Sequence, residues 1–289
     1  MRSRFRGLAA LAFGLVALAG ASLAAPIQGP LKVEVPGGAK NTPAVIDARL
    51  YRPVGAGPFP AVVAMHGCSG LWSTKDKTAL SPRHAEWGEA LAALGYVVIF
   101  PDSYGSRGLG SQCANGDRSV EPFRERPADA AATRAYLQGL PFVRPDAIIL
   151  LGWSNGGSTV LYEVRPQDKA KDGKPDFRGA IAFYPGCRDP FGGGKWQTRM
   201  PLMVLIGEAD DWTPAAPCKD IAAAGGAQVK LTLYPGAYHD FDNAEQPVHE
   251  VKGVAFSATG TGTVHTGFNP AARADALKRV PAFLAEVLK

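Results

Sequence analysis

The chain has 289 residues, 46% of them hydrophobic, with 31 Lys and Arg against 26 Asp and Glu. That length and apolar content suit one large α/β domain with a continuous core, and no internal repeat or long low-complexity linker interrupts it. The basic residues are scattered, with no dense stripe and no nucleic-acid-binding motif, which excludes a nucleic-acid partner.

The first residues read as a targeting segment. Arg2, Arg4 and Arg6 precede an apolar stretch from Leu8 to Ala19, and Ser22-Leu-Ala24 offers the small residues of a cleavage site. This pattern predicts a signal peptide over residues 1–24, too short for a comfortable membrane span. Its removal leaves a formal charge of +2 and a single domain over residues 25–289. No later stretch approaches about 20 apolar residues, so the mature chain is expected to be soluble and exported, either periplasmic or secreted.

Leu31–Val35 and Val45–Tyr51 alternate like a β-hairpin, with Gly37-Gly38 and Pro43 between them. Six short apolar runs follow: Ala61–Met65, Tyr96–Phe100, Ala147–Leu151, Ala180–Tyr184, Leu202–Ile206 and Val229–Tyr234. Such runs are typical of parallel strands covered on both faces. Helical patterns lie around His84–Leu94, Pro127–Leu137, Thr159–Val164 and Ala215–Ala224, and Ala271–Leu288 reads as a closing helix. Strands alternating with helices predict a doubly wound, mostly parallel α/β sheet with helices on both faces. Ser103–Glu125, Arg165–Phe177 and Ala244–Asn269 read as loops. Within the last, Ser257–Thr263 follows no clear strand and is expected to be a flexible loop rather than a phosphate-binding nest.

Residues 152–157 read Gly-Trp-Ser-Asn-Gly-Gly directly after the run that ends at Leu151. A buried strand that ends in Gly-x-Ser-x-Gly and then enters a helix is a nucleophile elbow. The turn is so tight that side chains at 152 and 156 would collide with backbone, and it leaves the Ser154 hydroxyl at the crest of the sheet. A serine hydroxyl needs a base, and in this arrangement the chain order is Ser, then an acid, then His. Gly207-Glu-Ala-Asp210-Asp-Trp-Thr-Pro214 follows one later strand, and Pro235-Gly-Ala-Tyr-His239 follows the next. Asp210 is favoured over Asp211 as the acid by its spacing from Gly207 and Pro214. His239 is the base because His84 begins a helix, and His249 and His265 fall in a loop. His66 precedes Gly67 where the oxyanion loop is expected. Backbone N–H groups of Cys68 and Asn155 are the expected oxyanion donors.

These motifs together resemble the dienelactone hydrolase family of the α/β-hydrolases. The resemblance rests on His66-Gly67, Pro101-Asp-Ser-Tyr-Gly-Ser-Arg107, the Gly152–Gly156 elbow, Gly207-x-x-Asp210 and His239-Asp-Phe. It implies the α/β-hydrolase fold and hydrolysis of esters or lactones. Members that open dienelactones carry a cysteine nucleophile and a glutamate after the first central strand; here Ser154 and Gly67 stand in those places. The resemblance also implies a carboxylate-binding role for Arg107, with a surface or loop-anchoring arginine as the alternative, and no second arginine follows closely after His239. The elbow is similar, too, to those of secreted polyester and polyhydroxyalkanoate hydrolases through Trp153, Gly156 and Gly157. Trp72, Trp153 and Trp212 flank the catalytic segments, where they either wall an acyl pocket and touch substrate or belong to the core.

Cys68, Cys113, Cys187 and Cys218 lack metal-ligand spacing, and in an exported chain they read as two disulfides, with free buried thiols as the alternative. Strand adjacency favours Cys187–Cys218, which leaves Cys68–Cys113. The sequence thus predicts an exported serine hydrolase of carboxylic esters or lactones. It would use Ser154, His239 and Asp210, need no cofactor or metal, and act on a small-molecule or polymeric ester. The alternatives are a peptidase or acyltransferase on the same fold, and a non-catalytic ligand-binding protein.

Overall fold

A computed structural model describes residues 25–26, 31–34, 45–168, 172–188 and 196–289, so the expected signal peptide and the Gly37–Pro43 turn lie outside the described residues. Within them the strands are β1 (Ala25–Pro26), β2 (Leu31–Glu34), β3 (Val45–Arg52), β4 (Phe59–Met65), β5 (Val97–Pro101), β6 (Val143–Trp153), β7 (Gly179–Phe183), β8 (Leu202–Gly207), β9 (Val229–Tyr234), β10 (His249–Lys252) and β11 (Thr263–Thr266). The helices are α1 (Pro82–Ala93), α2 (Glu125–Leu137), α3 (Asn155–Glu163), α4 (Ala216–Gly225) and α5 (Pro270–Val287).

The main sheet runs β1-β3-β5-β4-β6-β7-β8-β9, with β2 also paired to β3. From β5 through β9 every neighbouring pair is parallel, while β1, β2 and β5 each pair antiparallel with β3. The parallel strands are built from unbroken apolar runs because helices cover both faces of the sheet. Ala147–Trp153 and all of β5, β7 and β8 are buried. The α1 helix packs on β3 and β5, α5 on β7 and β8, and α2 and α3 pack on each other and across β4 and β6. This is the α/β-hydrolase fold, a doubly wound and mostly parallel sheet.

Chain order around β4 decides where a site can form. After β4 the chain moves to β5 on one side, whereas after β6 it moves to β7 on the other. The connections leaving the carboxyl ends of β4 and β6 therefore diverge, and a crevice opens between them. The two ends are in register at Met65 and Gly152.

The first turn of α3 fills the floor of that crevice with no room to spare. A Cβ on Gly152 would stand 2.3 Å from the Gly156 carbonyl oxygen, and one on Gly156 would stand 2.1 Å from the Met65 oxygen. Both are far inside van der Waals contact with backbone, which cannot yield as a side chain could. The glycines are thus what lets helix, elbow and neighbouring strand approach one another.

Residues 244–269 depart from the sequence expectation at β10 and β11. Ala244–Asn269 is not wholly loop: His249–Lys252 and Thr263–Thr266 pair antiparallel into a hairpin. Both strands are short and lack an apolar period, so neither carries the usual signal. The hairpin tip is also tied down, since Ala258 N–H donates to the Asp211 carbonyl at 2.8 Å.

Cys68 bonds to Cys113 and Cys187 to Cys218. The bridges close loops with sequence separations of 45 and 31 residues. A bridge over loops of this length contributes about 2–4 kcal/mol, largely by restricting the unfolded chain. The double variant Cys187→Ala/Cys218→Ala is therefore expected to lose about 2–4 kcal/mol of unfolding free energy. Chemical denaturation of the oxidised protein measures this, and an unchanged midpoint would remove the bridge from the stability argument.

Candidate active site

Ser154 follows β6 and caps α3 with φ 52°, ψ −117°. A positive φ is strained for a residue with a Cβ, and it is held here by the Ser154 N–H donating to Phe183 O at 2.9 Å. The strain points the hydroxyl away from the sheet and into the crevice. His239 Nε2 lies 2.9 Å from Ser154 Oγ, and His239 Nδ1 lies 2.8 Å from Asp210 Oδ2. All three side chains are at least nine-tenths buried. Because a carboxylate accepts, Nδ1 carries the proton toward Asp210 and Nε2 is left to accept from the serine. The arrangement can move a proton from hydroxyl to imidazole while a fixed negative charge stabilises the imidazolium.

Asp210 is itself oriented by its own loop. Trp212 and Thr213 N–H donate to Oδ1 at 3.0 and 2.8 Å, and Thr213 Oγ1 donates to Oδ2 at 3.0 Å. Asp211 points elsewhere: it accepts from His265 N–H and pairs with His265 Nδ1, both at 2.8 Å, and so fastens β11. That strand in turn holds His239. Gly267 N–H and Thr266 Oγ1 both donate to the His239 carbonyl, at 2.8 and 3.1 Å. Burial pulls the His239 pKa down, but the charge and hydrogen bond of Asp210 outweigh it, and the net shift is upward from 6.5.

The loop that follows β4 sits on the other side of Ser154. A Cβ on Gly67 would lie 3.5 Å from Ser154 Cβ, so the two strand ends bring Cys68 and Asn155 to the same place. Asn155 opens α3, where N–H groups have no partner within the helix. Cys68 lines the same cleft as Ser154 and Asn155. His66 braces the loop from beneath: Ser103 N–H donates to its Nε2 at 3.1 Å, so its Nδ1–H donates to Gly67 O at 2.8 Å. Burial and the nearby Arg126 charge keep that imidazole well below its ordinary pKa, hence neutral.

Two sequence expectations about substrate contacts are corrected. Arg107 does not reach the cleft; its guanidinium forms a two-pronged pair with Asp129, both contacts at 2.8 Å, and donates to Ser103 O at 2.7 Å. It anchors the loop after β5. Trp153 is wholly buried between Phe100 and Phe183, ring centroids 6.3 and 5.7 Å away, and donates to Asp242 Oδ2 at 2.9 Å. As the residue that ends a central strand, it faces the core. Trp212 does line the cleft, with its ring 4.8 Å from the His239 imidazole.

Several polar residues that organise the site escaped the sequence reading. Buried Arg126 donates to the Asn155 side chain and to His66 O, and Tyr104 OH donates to the same Asn155 oxygen at 3.0 Å. Arg83, from the first turn of α1, donates to Tyr184 OH at 2.8 Å and pairs with Asp240, the residue after His239. Asp242 accepts from Tyr184 OH, Trp87 and Trp153, at 2.6, 2.8 and 2.9 Å. Burial pushes its carboxyl above the usual range, while for Asp240 burial is outweighed by the charges of Arg83 and His239 together with hydrogen bonds, which hold it below that range. Only the adjacency of Asp240 and Asp242 to His239 could have drawn notice.

The cleft above Ser154 has a volume of about 230 Å³. Its walls are largely apolar and aromatic, from Phe123, Tyr162, Trp212 and Phe256, and Arg118 and Glu121 also line it. Among the described residues no group of His, Cys, Asp and Glu is arranged to hold a metal.

The same architecture occurs in solved structures. A candidate dienelactone hydrolase from Klebsiella pneumoniae superposes with a TM-score of 0.65 at 17% identity, covering 91% of this chain and 99% of the other. Esterase 2 of Thermogutta terrifontis, phosphoramylated by tabun, gives a TM-score of 0.60 at 20% identity over 90% of this chain and 95% of the other. In sequence, a candidate carboxymethylenebutenolidase from Synechocystis sp. is 28% identical over 213 residues, 66% of this chain and 79% of the relative. The model of the dienelactone hydrolase family matches residues 46–288. The chain belongs to the dienelactone hydrolase family.

Proposed function

We propose that the protein is an exported serine hydrolase that cleaves carboxylic esters or lactones through an acyl-enzyme. The observation that carries this reading is the continuous chain of contacts Ser154 Oγ to His239 Nε2 to Asp210 Oδ2, at 2.9 and 2.8 Å, at the floor of an open cleft. Nothing in the packing requires that combination, which argues against a binding protein that merely kept the fold.

Ser154 Oγ attacks the ester carbonyl as its proton passes to His239 Nε2. Asp210 holds the tautomer and stabilises the imidazolium. The carbonyl oxygen becomes an oxyanion and takes hydrogen bonds from the Cys68 and Asn155 N–H groups. Collapse expels the alcohol, which leaves with the proton from His239. Water then attacks the acyl-enzyme by the same route, giving the acid and free Ser154. Export is supported by the leader pattern of residues 1–24 and by the two disulfides.

Ser154→Ala is expected to fold normally and lose on the order of 10⁴-fold or more in kcat on a simple ester. More than a few per cent of remaining turnover would remove Ser154 as nucleophile.

The pH profile carries a second test. His239 accepts the serine proton only when neutral, so activity falls as pH drops through its pKa. Because that pKa is raised, the acidic limb of kcat/KM should lie above pH 6.5 with a plateau beyond it. A limb below pH 6 would contradict the assignment.

Asp210→Asn should lower the plateau by on the order of 10³–10⁴-fold through the wrong tautomer. Asp211→Asn should cost far less, because Asp211 contacts His265 and not His239. Kinetics of both variants against pH decide between the two aspartates.

A further inference from the structure

The cleft above Ser154 accounts for one half of an ester. A second cavity, of about 330 Å³, lies across Trp212, which forms part of the wall of both. Its position relative to the histidine is the informative feature. Asp240, next to His239, lines it. So does Thr266, whose hydroxyl donates to the His239 carbonyl. Ser69, next to Cys68 of the oxyanion loop, lines it as well. In ester cleavage the imidazolium gives its proton to the departing oxygen, so the alcohol half leaves on the histidine side. The apolar cleft, bounded by Asn155, Ser158 and Tyr162 of α3, is left for the acyl half.

The chemistry of the second cavity differs from that of the first. Lys75 and Arg83 are balanced by Asp240 and Glu245, so its charges cancel, and Asn243 and Gln246 add neutral amide groups. Arg83 is the inner donor. The residue is only 5% exposed, and its Nη1 is taken by Tyr184 and Asp240. Its buried Nε has no partner among the described residues, which leaves Nη2 as the remaining nitrogen of the guanidinium. A Cβ on Gly67 would lie 3.9 Å from that Nη2, so the nitrogen stands close to the oxyanion loop. A buried donor left unmade is costly, and because Arg83 lines the cavity an oxygen-rich ligand there can meet its guanidinium. Two indoles, Trp72 and Trp212, complete the walls, and Trp72 is fixed by its N–H donating to Asp102 at 2.6 Å.

Rigid apolar planes beside hydrogen-bonding groups whose charges cancel match a ring with C–H faces and hydroxyl edges. They do not match an alkyl alcohol, which would strip water from Arg83 and the amides without replacing its hydrogen bonds. We propose that this cavity is the alcohol subsite and that it takes a neutral, hydroxyl-rich alcohol, a sugar or comparable polyol, esterified to an apolar or aromatic acid. The inference rests on the esterase reading above and specifies its substrate class.

Three esters of one acid test it: methyl benzoate, hexyl benzoate and methyl 6-O-benzoyl-glucopyranoside. The kcat/KM of the mature oxidised protein for each, divided by that ester's alkaline hydrolysis rate, removes differences in intrinsic reactivity. The sugar ester is expected to exceed both alkyl esters by about tenfold or more, as one or two additional hydrogen bonds would give. Gln246→Leu and Lys75→Ala, on separate loops at the cavity mouth, should each lower the sugar-to-methyl ratio by several-fold, chiefly through KM. Equal normalised rates, a preference for hexyl benzoate, or a ratio that neither variant moves would overturn the proposal. Failure to cleave any of the three, together with no fluorophosphonate labelling of Ser154, would overturn the esterase reading itself and this inference with it.

Discussion

The site depends on one close approach, that of the first turn of α3 to the carboxyl ends of β4 and β6. Because Gly152 and Gly156 carry no Cβ, the helix begins immediately at Asn155 and within contact of the Met65 carbonyl. That proximity sets the Ser154 backbone at positive φ, turns its hydroxyl outward and leaves the Asn155 N–H unclaimed by the helix. It also brings the Gly67 backbone against the serine. A helix displaced by a single methyl group would separate these groups. The elbow is thus a packing constraint first and a chemical arrangement second.

Around that constraint lies an unusual amount of buried charge. Arg83, Arg126 and Asp242 are buried beneath the crevice and Asp240 is half-buried at its edge, and they meet side chains from distant parts of the sequence. Buried ionic groups add little net stability, since desolvation offsets their attraction. Their geometric effect is larger. Asp242 joins Trp87, Trp153 and Tyr184, so the loop after β9 is pinned to β6, β7 and α1 at once. His239, three residues earlier, inherits that position. The β10–β11 hairpin holds the same residue from the other side through its carbonyl.

What could be read from the sequence was local. The elbow glycines, the order of Ser154, Asp210 and His239 after successive strands, and the pairing of cysteines on neighbouring loops all follow from short segments and strand adjacency. The parallel strands were legible because burial on both faces makes them uniformly apolar. The rest depended on long-range partners. Arg83 meets Asp240 across 157 residues and Arg126 meets His66 across 60, and no spacing rule links such pairs. The expectation for Arg107 failed for the same reason: Asp129, one helix later, captures the fork that the resemblance assigned to substrate. Trp153 was ambiguous in sequence because a residue inside the elbow can face either way, and stacking between Phe100 and Phe183 settles its direction. The β10–β11 hairpin was invisible because its strands are polar and only four residues each.

Trp212 is a wall common to both cavities, and its ring also lies against the imidazole. The remaining walls are separate: Phe123 and Phe256 belong to the apolar side, and Lys75 and Gln246 to the polar side. Natural variation or directed evolution can therefore adjust Phe123 on one side, or Lys75 and Gln246 on the other, without exchanging a residue that both sides share. At position 212 no such independence exists. An exchange there reshapes both sides and the surroundings of the histidine together, so its effect will depend strongly on which residues the other loops carry.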